Sequence, residues 1–301
     1  FMRADKGFLC FPEINLGIVA GMGGTLLVTA DHGTVEKWLY PDGGVDTGHT
    51  NSPVPFILLH PDKTLALRPE GELTDVAPTI LHLLGLAAPA SMTGRSLVAQ
   101  HDGEIPPVSR LLLLILDGWG LNENKHGNLI ADSATPVMDS LACTYPSARL
   151  AASGLAVGLP DATVGNSEAG HLHMGAGRRI YSDRVNIDQA ITRGTFYKNE
   201  VFLRAMKQAK ENKTALHLMG IISFFSSHGS ITHLFALMEM AKRQGVKQLF
   251  IHAMLGRRGE QAESGVNYIR QVEEKCRDIG LGQVVSVIGR YWSMDREENW
   301  D

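Results

Sequence analysis

Short apolar runs flanked by turn residues recur along this chain, and they limit the folds that it can adopt. They include residues 24–30, 55–60, 110–116, 215–222, 248–255 and 283–289. Continuous apolar strands that are buried on both faces are typical of parallel sheets covered by helices. Between these runs, amphipathic patterns predict helices at 73–85, 199–213 and 231–245. The alternation of strands and helices predicts an α/β fold with a mostly parallel sheet.

Length, charge and cysteine usage exclude several classes of protein. The 301 residues suffice for one large or two ordinary domains, and the formal net charge of -4 gives no electrostatic reason to expect nucleic acid or an anionic membrane as a partner. The longest apolar run, around 111–116, is far too short to span a bilayer. Cys10, Cys143 and Cys276 lie far apart and form neither a disulfide framework nor a metal-ligand spacing. These features predict a cytoplasmic protein.

The stretch VGNSEAGH at 164–171 presents a serine between glycines. Gly165 and Gly170 make a regular element improbable around Ser167, so the sequence predicts a tight turn that exposes one hydroxyl. That geometry suits a nucleophile. A serine hydroxyl is a weak nucleophile at neutral pH, however, and it needs a base, a lowered pKa or a metal ion.

Metal-ligating side chains follow two of the predicted strands. Asp31 and His32 end the first apolar run, and Asp117 ends the run at 110–116. Active-site groups in open α/β sheets lie at the carboxyl ends of strands, although a strand-ending Asp-Gly also occurs in ordinary turns. Together with Ser167, these residues offer a credible site for Mn²⁺ or Zn²⁺. Such an ion would lower the pKa of the serine hydroxyl.

Other polar residues are weaker candidates. His49 precedes the run at 55–60 and could be a further ligand, but an isolated histidine is more often a structural hydrogen-bonding residue. Asp46 in the same loop is weaker still. The second half of the chain places cationic or hydrogen-bonding side chains near turns: His228, Arg258, Arg290 and Arg296. Guanidinium groups suit phosphate or carboxylate, whereas composition alone favours solvated surface charge.

Taken together, the motifs closely resemble one enzyme family. They are LLILDGWG, ASGLAVGLPDATVGNSEAGHLHMGAGR, LLVTADHG, HTNSPVPFILL and IGRYWSMDREENW. These stretches resemble the 2,3-bisphosphoglycerate-independent phosphoglycerate mutases, which belong with the alkaline-phosphatase-like metalloenzymes. The resemblance extends over nearly the whole chain. It implies an alkaline-phosphatase-like α/β domain, with a mostly parallel sheet flanked by helices, and part of a second α/β domain that binds substrate.

The resemblance also implies a reaction and roles for individual residues. The family interconverts 3-phosphoglycerate and 2-phosphoglycerate, a step of glycolysis and gluconeogenesis, with two Mn²⁺ ions and a phosphoserine intermediate. By this resemblance Ser167 is the nucleophile, and Asp117, Ser167, Asp31 and His32 hold one metal ion. His49 would bind the other ion. The implied substrate-binding residues are His228, Arg258, Arg290 and Arg296.

The order of the motifs departs from the family pattern. TADHG and HTNSPVP lie near the C-terminus in the family, yet here they precede DGWG, which normally opens the chain. We therefore expect a circularly permuted chain whose old ends are joined near 98–109, a polar stretch with two adjacent prolines. The expected domains are a phosphatase-like metal-binding domain at 1–180 and a partial transferase domain at 181–301.

The chain also lacks motifs that the family carries. A DMVGHTG-type motif with the other ligands of the second metal ion is absent from the sequence, as are further substrate arginines and a lysine. Phe224 and Ser230 replace an aspartate and a histidine, and Gly256 and Gly259 replace aspartates. We therefore expect an incomplete second metal site. The alternatives are an impaired remnant that binds metal or needs a complementing chain or oligomer, and a single-metal phosphatase.

Overall fold

The computed structural model describes residues 24–40, 43–99, 105–223, 229–256 and 263–295. The chain divides into two compact units, Phe1–Val185 and Asn186–Asp301. Part of the expected join at 98–109 lies outside the described residues. In the described ranges, no helix combines the length and the apolar character that crossing a bilayer requires.

The first unit contains a five-stranded sheet. Its strands are β1 (Thr25–Thr29), β2 (Val54–Leu59), β3 (Glu70–Glu72), β4 (Leu111–Ile115) and β5 (Ser147–Ala151). They lie in the order β3-β5-β2-β1-β4. The β1–β4 and β3–β5 pairs are parallel, whereas β2 is antiparallel to both of its neighbours. Because only β2 runs in the opposite direction, the prediction of a mostly parallel sheet is confirmed.

Helices and short 3-10 turns complete this unit. The helices are α1 (Val76–Leu83), α2 (Pro136–Thr144) and α3 (Ser167–Ala176), and the 3-10 turns are Val35–Lys37, Leu73–Asp75 and Gly154–Val157. Helix α4 (Asp183–Thr192) begins in this unit, and most of its residues belong to the second unit. Strands β1 and β2 are buried along their whole length, as their continuous apolar sequences predict. In contrast, β5 alternates exposed and buried residues. Strands β3 and β5 contain no apolar run, and the sequence analysis did not predict them.

The second unit is a smaller α/β arrangement. Strands β6 (Leu216–Ile222), β7 (Leu249–Leu255) and β8 (Gln283–Gly289) form a parallel sheet in that order. Its other elements are a 3-10 turn at Phe196–Lys198 and helices α5 (Glu200–Glu211), α6 (Ile231–Gln244), α7 (Ser264–Ile279) and α8 (Arg290–Ser293). Apolar side chains of α5, α6 and α7 pack with the sheet in one core, which includes Met206, Met238, Ile251 and Val272. The predicted α/β class is therefore confirmed in both units.

The prediction of a tight turn around Ser167 is wrong, because Ser167 is the first residue of helix α3. The helix begins here because the Asn166 side chain accepts a hydrogen bond from the Ala169 amide at 2.8 Å. Gly170 lies inside the helix and serves close packing. A Cβ atom at this position would lie 2.9 Å from the Asp31 Cβ and even closer to the Asp31 carbonyl oxygen. Gly170 therefore allows α3 to pack directly on the end of β1.

We expect Gly170→Ala to lower the free energy of unfolding by about 1–3 kcal/mol, because the new methyl group would overlap the backbone of Asp31. The matched control is Gly175→Ala in the same helix, where a Cβ would meet nothing within 4 Å. Since alanine is the better helix former, this control should raise the free energy of unfolding by about 0.5–1 kcal/mol. Urea unfolding measures both values, and equal effects of the two changes would contradict the proposed close contact.

Candidate metal centre

The two aspartates predicted as ligands follow adjacent parallel strands. Thr29 of β1 lies opposite Ile115 of β4. Asp31 and Asp117 come two residues after these positions, so their carboxyl groups lie at the same edge of the sheet. The two environments differ, because the Asp31 side chain is fully buried and that of Asp117 is 72% exposed. One carboxyl group is therefore held inside the fold while the other faces solvent.

The buried Asp31 carboxyl group is only half satisfied by hydrogen bonds. Its Oδ1 accepts from the amides of His32 and Gly118, at 3.0 and 3.2 Å. Its Oδ2 is also buried, yet none of the described residues donates a hydrogen bond to it. The nearest ring nitrogens are His171 Nδ1 at 3.4 Å and His32 Nε2 at 3.7 Å. Burying a carboxylate oxygen without a partner is costly, and a bound cation would offset that cost.

Ser167 lies beside the same group of side chains. Its Oγ is 3.0 Å from His32 Nε2 and donates to Asp117 Oδ2 over 3.5 Å. The His32 Nε2 is also 3.2 Å from Asp117 Oδ1. Because Ser167 begins helix α3, the partial positive charge of the helix N-terminus favours negative charge at this position. The arrangement can therefore accommodate an anionic group on the serine oxygen.

The contacts of the His32 ring allow the tautomer that binds metal ions. His32 Nδ1 lies 3.2 Å from the Gly33 carbonyl oxygen, and a carbonyl oxygen can only accept. A hydrogen bond here therefore requires the proton on Nδ1. The lone pair of Nε2 then faces Ser167 and Asp117, in the tautomer that a metal-binding imidazole uses.

These residues form a group with the donors that a metal ion needs. Asp31, His32 and Asp117 each offer one ligand atom, and these atoms all lie within 4.8 Å of one another. The structure thus brings together the residues that the sequence analysis assigned to the first ion, with Ser167 beside them. Their oxygen and imidazole donors suit Mn²⁺ or Zn²⁺, and their role as ligands stays a prediction.

His49 lies next to this group on the exposed side. Its ring centroid is 4.1 Å from that of His32, and its Nδ1 lies 2.9 Å from the Thr34 hydroxyl. Partial burial and the nearby His32 ring lower the pKa of His49, and the carboxylates of Asp117 and Asp31 offset part of that change. A lowered pKa keeps the imidazole neutral, which is the form that binds metal ions.

Sequence reasoning missed further residues around the group. Glu36 is fully buried, and nothing in its local sequence distinguishes it from a surface glutamate. His171 donates from Nδ1 to the Ser167 carbonyl oxygen at 2.9 Å. The spacing of four residues between Ser167 and His171 was an available signal, because this spacing places two side chains on one face of a helix.

The remaining predicted residues fall into two sets. Asp46 accepts a hydrogen bond from the Gly48 amide at 2.9 Å and so stabilises its own loop. Arg290 begins helix α8 in the second unit, where it is half-buried near Gly256. The other predicted substrate residues lie outside the described part of the chain: His228, Arg258 and Arg296.

Comparison with known proteins identifies relatives of both units. Residues 187–301 match the family described as BPG-independent PGAM N-terminus, and residues 16–88 match the Metalloenzyme superfamily. The 2,3-bisphosphoglycerate-independent phosphoglycerate mutase of Syntrophotalea carbinolica is 47% identical over 189 residues, which are 63% of this chain and 37% of that protein. The enzyme of the same name from Lachnoclostridium phytofermentans is 45% identical over 190 residues, with the same shares.

Among solved structures, a crystal structure of Leishmania mexicana phosphoglycerate mutase at low cobalt concentration matches this chain with 30% sequence identity and a TM-score of 0.41. The match covers 46% of this chain and 26% of the Leishmania chain. The chain spans a little over one third, 37%, of the length of the curated relatives named above. Their similarity and the two family matches confirm the resemblance predicted from the motifs. The chain is similar to the 2,3-bisphosphoglycerate-independent phosphoglycerate mutases over 63% of its length, and residues 16–88 of its first unit match the metalloenzyme superfamily.

Proposed function

We propose that this chain interconverts 3-phosphoglycerate and 2-phosphoglycerate through a phosphoserine at Ser167. Asp31, His32, Asp117 and Ser167 would hold a divalent metal ion. The observation that carries the proposal is the buried Asp31 Oδ2, which lacks a hydrogen-bond donor among the described residues and faces the imidazole beside Ser167. The names of the relatives support the same reaction.

The proposed ion is Mn²⁺, with Zn²⁺ as the alternative. Three of the four proposed ligands bind through oxygen, and oxygen-rich sets favour Mn²⁺. When bound, the ion would lower the pKa of the serine hydroxyl and offset charge on the phosphoryl oxygens. His49 would contribute to a second ion, whose other ligands would come from a complementing chain or another protomer.

The proposed phosphoryl transfer has two steps, and Ser167 takes part in both. Ser167 Oγ attacks the phosphorus of 3-phosphoglycerate, the Oγ–P bond forms and the bond from phosphorus to the glycerate oxygen breaks. Because His32 Nε2 would bind the ion, the acceptor for the hydroxyl proton is Asp117 Oδ2 at 3.5 Å, and the proton ends on the departing glycerate oxygen. The reoriented glycerate then attacks the phosphoserine through its other hydroxyl, and Ser167 regains a proton.

The second unit would bind the substrate. The proposed substrate-binding residues are His228, Arg258, Arg290 and Arg296. Planar guanidinium groups can bind the phosphate and the carboxylate of phosphoglycerate through paired hydrogen bonds. In this proposal residues 1–180 form the metal-binding domain and residues 181–301 the transferase part. The setting is the cytoplasm, without nucleic acid or a membrane as a partner.

A second candidate function is a single-metal phosphatase. The Asp117 side chain is 72% exposed, so water can approach the Ser167 hydroxyl from that side. Water would then attack the phosphoserine in place of glycerate, and free phosphate would be released. The two candidates share the phosphoserine and differ in the molecule that accepts the phosphoryl group.

We expect the purified chain with Mn²⁺ to form phosphoserine at Ser167, and to convert 3-phosphoglycerate to 2-phosphoglycerate once a complementing chain or a second protomer supplies the other ligands of the second ion. Ser167→Ala should lower the rate by more than about a thousandfold, because it removes the nucleophile. The matched control is Ser140→Ala, at an exposed serine on α2, which should leave the rate unchanged. A coupled assay measures turnover, and mass spectrometry locates the phosphoryl group.

The outcomes separate the two functions. Free phosphate released without isomerisation, and lost in Ser167→Ala, would favour the phosphatase. A folded, metal-bound chain that forms neither phosphoserine nor product would contradict both functions.

We expect Mn²⁺ at about one hundred times its dissociation constant to raise the free energy of unfolding by about 2.7 kcal/mol. Asp31→Asn should abolish most of this gain, because it removes a charged ligand. Without metal, the free energy of unfolding of this variant should be no lower than that of the unchanged chain. The substitution removes the charge of a carboxyl group whose Oδ2 is buried without a donor among the described residues.

Urea unfolding with and without Mn²⁺ measures these effects, and Asp132→Asn at an exposed position serves as the control. An equal gain from Mn²⁺ in the unchanged chain and in Asp31→Asn would remove Asp31 from the proposed ligand set.

A further inference from the structure

We propose that Glu36 is a positioning residue, which sets the relative placement of the three chain segments that carry the candidate ligands Asp31, His32, Asp117 and His49. This inference rests on the proposed function, because it concerns the same metal centre. Glu36 itself contacts none of the proposed ligands through its carboxyl group. It acts instead through the backbone and hydroxyl groups that surround it.

The Glu36 side chain is fully buried, and its carboxyl group accepts hydrogen bonds from three donors. Oε2 accepts from the amides of Thr34 and Gly120, at 2.8 and 3.2 Å, and Oε1 accepts from the Thr50 hydroxyl. An ionised carboxyl group only accepts hydrogen bonds, and all three of the groups around it are donors. Charge-assisted bonds of this kind are strong, and they offset the cost of burying the group.

The three donors belong to three segments of the chain, two of which are the two ends of the β1–β2 connection. Thr34 follows the Asp31–His32 pair after β1, and Gly120 follows Asp117 after β4. Thr50 is next to His49 in the loop that precedes β2. A single carboxyl group therefore joins the loops that carry the two aspartates and the two histidines. Backbone hydrogen bonds from Thr50 to Gly33 and from Val35 to Gly118, both at 3.0 Å, also join these segments, so loss of the carboxyl group would shift their relative placement without separating them.

Two glycines give the carboxyl group the room that it occupies. A Cβ atom at Gly33 or at Gly120 would lie 2.6 Å from Glu36 Oε1. Neither position can therefore carry a larger side chain while Glu36 stays in place. The backbone of the loops after β1 and β4 is thus packed directly against this carboxyl group, which explains how a buried glutamate can control their spacing.

Thr34 extends the effect of Glu36 to the histidine rings. Its hydroxyl donates to the Gly33 carbonyl oxygen at 2.7 Å, so the single hydroxyl proton is already used. With the proton in this bond, the contacts of the Thr34 hydroxyl oxygen with His49 Nδ1 at 2.9 Å and with His32 Nδ1 at 3.2 Å are bonds that the ring Nδ1–H groups donate. This tautomer leaves the His49 Nε2 lone pair free for a metal ion. Hydrogen bonds behind a metal-binding histidine set its tautomer and ring orientation in this way.

A purely structural role would make a different prediction from a positioning role. If Glu36 only stabilised the fold, its replacement would lower the free energy of unfolding and leave the metal affinity of the folded chain unchanged. If Glu36 positions the loops, the folded variant would bind metal more weakly and with altered geometry. Metal affinity and ligand geometry therefore separate the two roles.

The first test compares Glu36→Gln with the unchanged chain and with Glu70→Gln, an exposed glutamate on β3. Glutamine has nearly the same shape as glutamate, but its NH₂ group is a donor and would face one of the donors that now bind the carboxyl group. We expect Glu36→Gln to raise the dissociation constant for Mn²⁺ about 10–100-fold and to change the visible spectrum of bound Co²⁺, which reports ligand geometry. Glu70→Gln should match the unchanged chain in both measurements.

A second pair of variants keeps the test decisive if Glu36→Gln fails to fold. Thr34→Val removes the hydroxyl at nearly constant shape, whereas Thr34→Ser retains it. We expect Thr34→Val to weaken Mn²⁺ binding and Thr34→Ser to restore it. Equal affinities of the Thr34→Val, Thr34→Ser and unchanged chains would overturn the proposed link between Thr34 and His49.

A measurement without metal distinguishes this inference from the proposed function. The ring-nitrogen chemical shifts of ¹⁵N-labelled histidines report the tautomer in the metal-free chain. We expect His49 to be protonated on Nδ1 in the unchanged chain and to populate both tautomers in Thr34→Val and Glu36→Gln. Unchanged shifts in both variants would overturn the positioning role. Absence of metal binding with the expected tautomer shifts would contradict the proposed function alone.

Discussion

The parallel pairing of β1 with β4 is the constraint on which the candidate centre depends. Leu27 and Val28 of β1 are completely buried, and they pair with Leu113 and Leu114 of β4. The apolar residues that stabilise the sheet end just before the two aspartates. Burial of these strands therefore brings the two carboxyl groups to the same edge, and any change that shifts the register would separate them.

Close packing of helix α3 against the end of β1 supplies the third part of the centre. Gly170 lets the helix approach the backbone of Asp31, and Gly165 lies where a Cβ atom would be 3.1 Å from the His32 Cβ. Asn166 caps the helix, so Ser167 becomes its first residue. The glycines around the serine are thus explained by contact with the strand end, and the serine reaches His32 because no larger side chain intervenes.

The sequence predicted the elements that depend on local pattern and missed those that depend on distant contacts. Strands with continuous apolar runs were predicted correctly, whereas β3 and β5 contain polar or alternating residues that lack such a signal. The turn predicted at Ser167 was wrong because Gly170 was interpreted locally, while its contact lies on Asp31. Glu36 was missed for the same physical reason, since two of its three donors, Thr50 and Gly120, lie 14 and 84 residues away in the sequence.

The two buried carboxyl groups of the candidate centre, those of Glu36 and Asp31, differ in their hydrogen bonds. Each carboxyl oxygen of Glu36 accepts at least one hydrogen bond, and these bonds stabilise its buried position. Asp31 has donors on Oδ1, while its Oδ2 has none in the described part of the chain. If both carboxyl groups had hydrogen-bond donors on all their oxygens, no oxygen would be left for a cation. If neither group had donors, two uncompensated buried charges would destabilise the fold. Glu36 therefore holds the segments of the candidate centre in place, whereas Asp31 keeps one carboxylate oxygen available to the proposed cation.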